Sequence, residues 1–140
     1  MSGIQASVFG DPKRIWVKRS GTFTGDAWGE PRITEAENVG VNTVQFGPNS
    51  RTYWHSHEGG QILVVVAGRG IIGTRDGEVI EIQAGDVIHT APGVDHYHGA
   101  LSNSFLMHEA ISIGETTWKD RKSTRLNSSH SQQSRMPSSA

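Results

Sequence analysis

The chain has 140 residues, enough for one domain with a real core and too few for two. It has no cysteine, which excludes disulfides and thiolate metal sites, and its formal charge of −1 offers nucleic acid no electrostatic attraction. No apolar run is long enough to cross a membrane as a helix, and residues 1–10 lack the basic start and apolar stretch of a leader, so a soluble cytoplasmic protein is expected.

Seventeen glycines and short runs of β-branched and aromatic residues suit many strands joined by tight turns. Residues 1–35 read as an N-terminal arm with one or two short strands, lying against a barrel formed by residues 36–119. Within the arm, Trp16 and Trp28 are expected to cover an edge or a subunit contact. Val39–Phe46 alternates as a strand and turns at Gly47-Pro48-Asn49-Ser50. Arg51–His57 and Gln61–Ala67 follow, with Gly68-Arg69-Gly70 read as a turn into Ile71–Arg75. Asp76-Gly77 is a two-residue hairpin signal. Glu78–Gln83 alternates polar and apolar residues, Ala84-Gly85-Asp86 turns into Val87–Thr90, and Ala91-Pro92-Gly93 turns again. A histidine-rich strand and a last strand, Phe105–Ile113, complete the order. Eight or so strands at this spacing predict an all-β sandwich or barrel with no long helix.

Residues 120–140 differ in kind: rich in Ser, almost without apolar content, and without periodicity, which predicts a disordered tail. The run Asp120 to His130 also back-translates without strain into the adapter ligated to short-read sequencing libraries. The tail is therefore read as an artefact of sequencing and set apart from the fold. It carries net +3 against −1 for the whole chain, which puts the remainder at −4.

The chemistry concentrates in two stretches. His55 and His57 are two apart, so on a strand both rings leave one face. Gln61 opens the apolar strand that follows, able to turn its amide oxygen inward, and His96 arrives after Pro92-Gly93. Imidazoles and an amide oxygen from neighbouring strands form an N/O ligand set for one divalent ion. Because all four are neutral, the ion would keep its full +2 charge, which favours anions and developing oxyanions. Such a set suits Mn²⁺ or Fe²⁺, with Ni²⁺ and Zn²⁺ able to compete. His98 shares the parity of His96. His108, with Ala110 and Ser112, shares one face of the last strand, so His98 and His108 form a candidate proton-carrying pair. Asn42, Val44 and Tyr53 join Ala110 and Ser112 as expected pocket lining. Trp54 is expected in the core or an interface, His89 in a wall or on the surface, and Arg51 on the surface.

Gly47, His55, His57, Gln61 and Gly68 resemble the first cupin motif, and Gly85-Asp86, Pro92-Gly93 and His96 the second. The resemblance covers roughly residues 39–112. It implies a cupin double-stranded β-helix, a jelly-roll-like barrel, holding one metal ion and often forming a dimer. The pattern His-x-His-x-x-x-Gln with Pro-Gly-x-x-His-aromatic-His-Gly-Ala is similar to a narrower group. These are small bacterial cupins labelled carboxymuconolactone-decarboxylase-like, among them manganese-dependent hydroxynitrile lyases. Ala91 and Tyr97 depart from the commoner Pro and Trp of that pattern.

The resemblance implies metal ligands His55, His57, Gln61 and His96, with Mn²⁺ favoured, and histidines 98 and 108 around a small-molecule substrate. The leading expectation is a metal-dependent lyase that breaks a C–C bond of a small hydroxy or carbonyl compound. An Fe²⁺ cupin dioxygenase and a non-catalytic ligand-binding cupin are the alternatives. Neither nucleic acid nor membrane is expected as a partner; a homodimer is.

Overall fold

A computed structural model describes residues 3–8 and 10–121. They form twelve strands and no helix: β1 (Val17–Arg19), β2 (Phe23–Thr24), β3 (Ala27–Ile33), β4 (Val39–Phe46), β5 (Arg51–Thr52), β6 (His55–His57), β7 (Gln61–Thr74), β8 (Val79–Gln83), β9 (Val87–Thr90), β10 (His96–Ala100), β11 (Leu106–Ile113) and β12 (Thr116–Trp118). All pairings are antiparallel, and they close most of the way into a barrel of two facing sheets.

β7 belongs to both sheets. Its first half pairs with β11 and β9, and its second half with β10 and β8. Gly68-Arg69-Gly70, expected as a turn between two strands, is instead a bend inside one fourteen-residue strand. Gly68 has φ +81°, and a Cβ there would stand 2.0 Å from the Phe105 carbonyl oxygen; one on Gly70 would stand 2.2 Å from that of Gly99. Only glycine lets the neighbouring backbones approach so closely, and that approach carries the strand from one sheet to the other.

Register then fixes what the interior contains, because side chains opposite each other across a sheet share a face. In the first sheet one inward row is Ala27–Phe46–Leu106, all fully buried. Gly29–Val44–His108–Val65 is the next, then Asn42–Ala110–Leu63, and Gly40–Ser112–Gln61 is the last. The barrel therefore runs from an apolar floor to a polar chamber. Phe46, Leu63, Ile72, Ile82 and Leu106 pack the floor, and burying each such side chain contributes roughly 1.5–3 kcal/mol.

The arm differs from its sequence reading. Ala27–Ile33 is a full strand of the first sheet, β1 pairs along its edge and β2 pairs with β5 of the second, and only residues before Val17 lie outside. Those residues are tied down by Arg14, whose Nε and Nη2 both donate to the Glu30 carboxylate at 2.5 Å. Glu30 is 2% exposed, and the Arg14 hydrogen bonds hold its pKa below the usual carboxylate value. Trp16 and Trp28 are both partly exposed. Arg51, expected on the surface, is 4% exposed and lies over the Tyr97 ring. It points away from the chamber because its neighbour Thr52 points in.

At the other end, Asp120 is still engaged with the barrel. Its carbonyl accepts from the Trp54 N–H at 2.9 Å, and its carboxylate pairs with Arg75 at 2.5 Å. The remainder of the expected tail, residues 122–140, lies outside the described residues.

Candidate metal centre and its chamber

Five histidines meet in the polar half of the barrel, none more than 4% exposed: His55 and His57 from β6, His96 and His98 from β10, and His108 from β11. The alternation of short, regular strands puts them there. β6 and β10 pair His55 with His96, and β10 turns His96 and His98 inward while Tyr97 joins Trp54 and Ile71 outside. His89 stands exposed on β9.

Hydrogen bonds fix which nitrogens are free. His55 Nδ1 donates to the Tyr53 carbonyl at 2.8 Å and His96 Nδ1 to that of Val94 at 3.0 Å, so the Nε2 lone pair of each neutral ring is left to point inward. His57 Nδ1 meets the Thr116 hydroxyl at 2.9 Å, leaving its Nε2 buried without a partner. Gln61 Nε2 donates to Ser112 Oγ at 3.0 Å, which turns Oε1 toward His96 Nε2, 3.1 Å away. Two lone pairs then face each other, an arrangement that repels unless a cation lies beside both. A carboxamide turned the other way would present N–H groups to His96 and could not ligate an ion.

The three imidazoles whose ligating nitrogens all lie within 4.8 Å of one another are those of His55, His96 and His98. The His57 ring sits close by, 5.0 Å from that of His55 and 5.4 Å from that of His96 between centroids. His55, His57, Gln61 and His96 are thus brought to one place, with His98 beside them. The donor set fits a divalent ion: neutral nitrogens, one amide oxygen and orphaned lone pairs that cost several kcal/mol to leave unpaired.

Burial keeps these rings neutral. Desolvation lowers the pKa of all five; it takes His57 and His108 down to about 4, and His55 and His98 well below the ordinary imidazole value. His108 Nε2 and His98 Nδ1 are 3.1 Å apart, so one donates to the other, while His98 Nε2 and His108 Nδ1 at the far ends have no partner. A proton taken up at one far end and another released at the other, with the shared proton crossing between them, exchanges which end carries the basic lone pair.

The chamber encloses about 280 Å³. Asn42, Val44, Ala110 and Ser112 line it as the register requires. Tyr53 does not; Thr52 lines the wall in its place. The chain breaks strand geometry at Tyr53-Trp54, whose amides bond outward to Thr22 and Asp120, and the two-residue alternation restarts at His55. Phe23 and Trp118 stand at the mouth with ring centroids 5.8 Å apart, and Trp118 lies 4.5 Å from His55. These two, with Arg19 and Thr116, were not evident in the sequence. They come from the irregular ends of the chain, where no periodicity points inward.

Comparison with known proteins agrees with this geometry. The family model described as "Cupin domain" matches residues 42–108. The chain is 38% identical to an (R)-mandelonitrile lyase from Granulicella tundricola, across 71% of this chain and 81% of that protein. A crystallised cupin-like protein from Thermotoga maritima is 34% identical, with a TM-score of 0.75 over 84% of this chain and 92% of its own. The polyketide cyclase RemF from Streptomyces resistomycificus, 18% identical with a TM-score of 0.60 over 68% of this chain and 70% of that one, shares the fold. A nearly closed antiparallel barrel, two motif-bearing histidine stretches and this relationship together make the chain a member of the cupin family.

Proposed function

We propose that this cupin is a metal-dependent lyase, hydroxynitrile-lyase-like, that cleaves a C–C bond of a small hydroxy or carbonyl compound. The observation that carries the reading is the His98–His108 pair set beside converging ligand lone pairs. A binding protein has no use for a coupled proton carrier there, and the relationship to a mandelonitrile lyase points to the same chemistry.

His55, His57, Gln61 and His96 would hold the ion, with Mn²⁺ favoured by the mixed N/O set. Bound there, a divalent ion supplies Lewis acidity toward a hydroxyl or carbonyl oxygen and toward the anion released when the bond breaks. The protein's own residues do the rest. His108 takes the substrate hydroxyl proton, and the bond to His98 lets the pair hold it until the leaving anion needs it. Ser112 keeps the Gln61 amide oriented. Phe23 and Trp118 limit water at the mouth, which strengthens every charge interaction inside.

The test combines turnover with elemental analysis. Cyanide release from mandelonitrile under argon is expected of Mn²⁺-loaded protein. The His55→Ala, His57→Ala and His96→Ala proteins are expected to lose bound metal. The His98→Ala and His108→Ala proteins are expected to keep it, with His108→Ala losing turnover by about 10²-fold or more. Full activity in His108→Ala defeats the acid–base assignment. Oxygen uptake by Fe²⁺-loaded protein would favour the dioxygenase reading, which three imidazoles also allow.

A further inference from the structure

Arg19 has no part in the chemistry above, yet its side chain lines the chamber. It sits on β1 opposite Ala27, on the inward face. Its guanidinium lies across Gly29: a Cβ built there would be 2.2 Å from Arg19 Nε and 2.6 Å from Nη2. The guanidinium thus fills the volume that any larger residue at position 29 would claim. Gly29 belongs to the inward row Gly29–Val44–His108, so the backbone beneath the cation lies two strand spacings, or about 10 Å, from that of the proton-carrying histidine.

Three features show what such a cation would bind. Among the described residues Arg19 has no hydrogen bond or ion pair, whereas the neighbouring Lys18 pairs with Asp26 and Arg14 with Glu30. No Asp or Glu among the described residues lines the chamber. Nothing described within it therefore opposes an incoming anion. The arm that carries Arg19 is anchored on one side by the Arg14–Glu30 pair and on the other by pairing with β3, so the backbone from which the guanidinium extends is fixed before a ligand arrives.

We propose that Arg19 is the anchor for a carboxylate, and that the chamber takes a small hydroxy- or oxo-carboxylate with its acid group at Arg19 and the rest of the molecule toward the histidines. A guanidinium offers the paired donors that match a carboxylate. The assignment rests on the lyase reading only for the identity of the reacting end; the carboxylate contact stands on Arg19 and Gly29 alone. Arg19 is a specificity-determining residue that touches no reacting atom.

The test is calorimetric titration of the full-length protein with mandelate and with its neutral isostere mandelamide. Wild-type protein is expected to bind mandelate about tenfold or more tightly than mandelamide. Arg19→Gln is expected to remove that preference with the affinity for mandelamide unchanged, and Arg19→Lys to keep part of it. Gly29→Ala, which leaves Arg19 in the chain but takes its seat, is expected to behave like Arg19→Gln. Carboxylates also bind metal ions, so the reading is the difference between the wild-type and Arg19→Gln proteins under the same metal loading. Equal affinities in wild type, no measurable mandelate binding, or an unchanged preference in Arg19→Gln each overturn the proposal. Because binding alone is read, the two readings fail separately. Cyanide release without a carboxylate preference removes only the Arg19 assignment; a preference without C–C cleavage removes only the lyase.

Discussion

Water reaches none of the five chamber histidines freely, and at the residue scale this governs how the protein meets acid. An imidazole that titrates near 6.5 when unfolded and near 4 when buried, as His57 and His108 do, binds its proton more readily in the unfolded chain. Its contribution to stability is therefore complete above about pH 6.5 and is lost as pH falls toward 4. His55, His96 and His98 are shifted in the same direction and add to the slope. Denaturant melts of metal-stripped protein should show stability falling through this window; a flat profile would mean the rings are not buried as described. The parity of these histidines was legible because β6, β10 and β11 keep strict alternation. Tyr53 was not, since two backbone bonds to outside segments reset the alternation just before His55.

At the scale of elements, β7 decides the architecture. Gly-x-Gly is ordinarily chain punctuation, and from sequence Gly68-Arg69-Gly70 could only be taken as a turn. That the strand continues unbroken depends on Phe105 and Gly99, whose carbonyls press against it from segments far along the chain. Such contacts leave no local signal. Gly68→Ala should cost at least about 2 kcal/mol, from the left-handed backbone and the clash together, read as a lowered denaturation midpoint. Gly77→Ala, also at positive φ but with open space around it, should cost less. The Asp76-Gly77 hairpin, by contrast, was plain from sequence because its requirement is local: Gly77 adopts φ +96° and its N–H closes the turn on the Thr74 carbonyl.

For the whole molecule, two expectations become tests. Residues 122–140 are proposed to add nothing to the fold, so a chain ending at Arg121 should melt with the full-length protein. Ending at Lys119 should lower the transition, because the Trp54 amide and Arg75 lose Asp120. A homodimer is the second proposal. Trp28, Val66 and Val87 leave exposed apolar surface on strands of the first sheet, which a second copy would cover. Sedimentation should then report twice the chain mass, and Val66→Asp a single chain.

Because one unbroken backbone serves both sheets, they are tied together along β7, while the opposite wall of the chamber is completed by the two ends of the chain. There Phe23 belongs to one terminal segment and Trp118 to the other. Whatever is fused to either terminus, or trimmed from it, acts on that wall and, through Thr116 and Trp118, on His57 and His55 themselves.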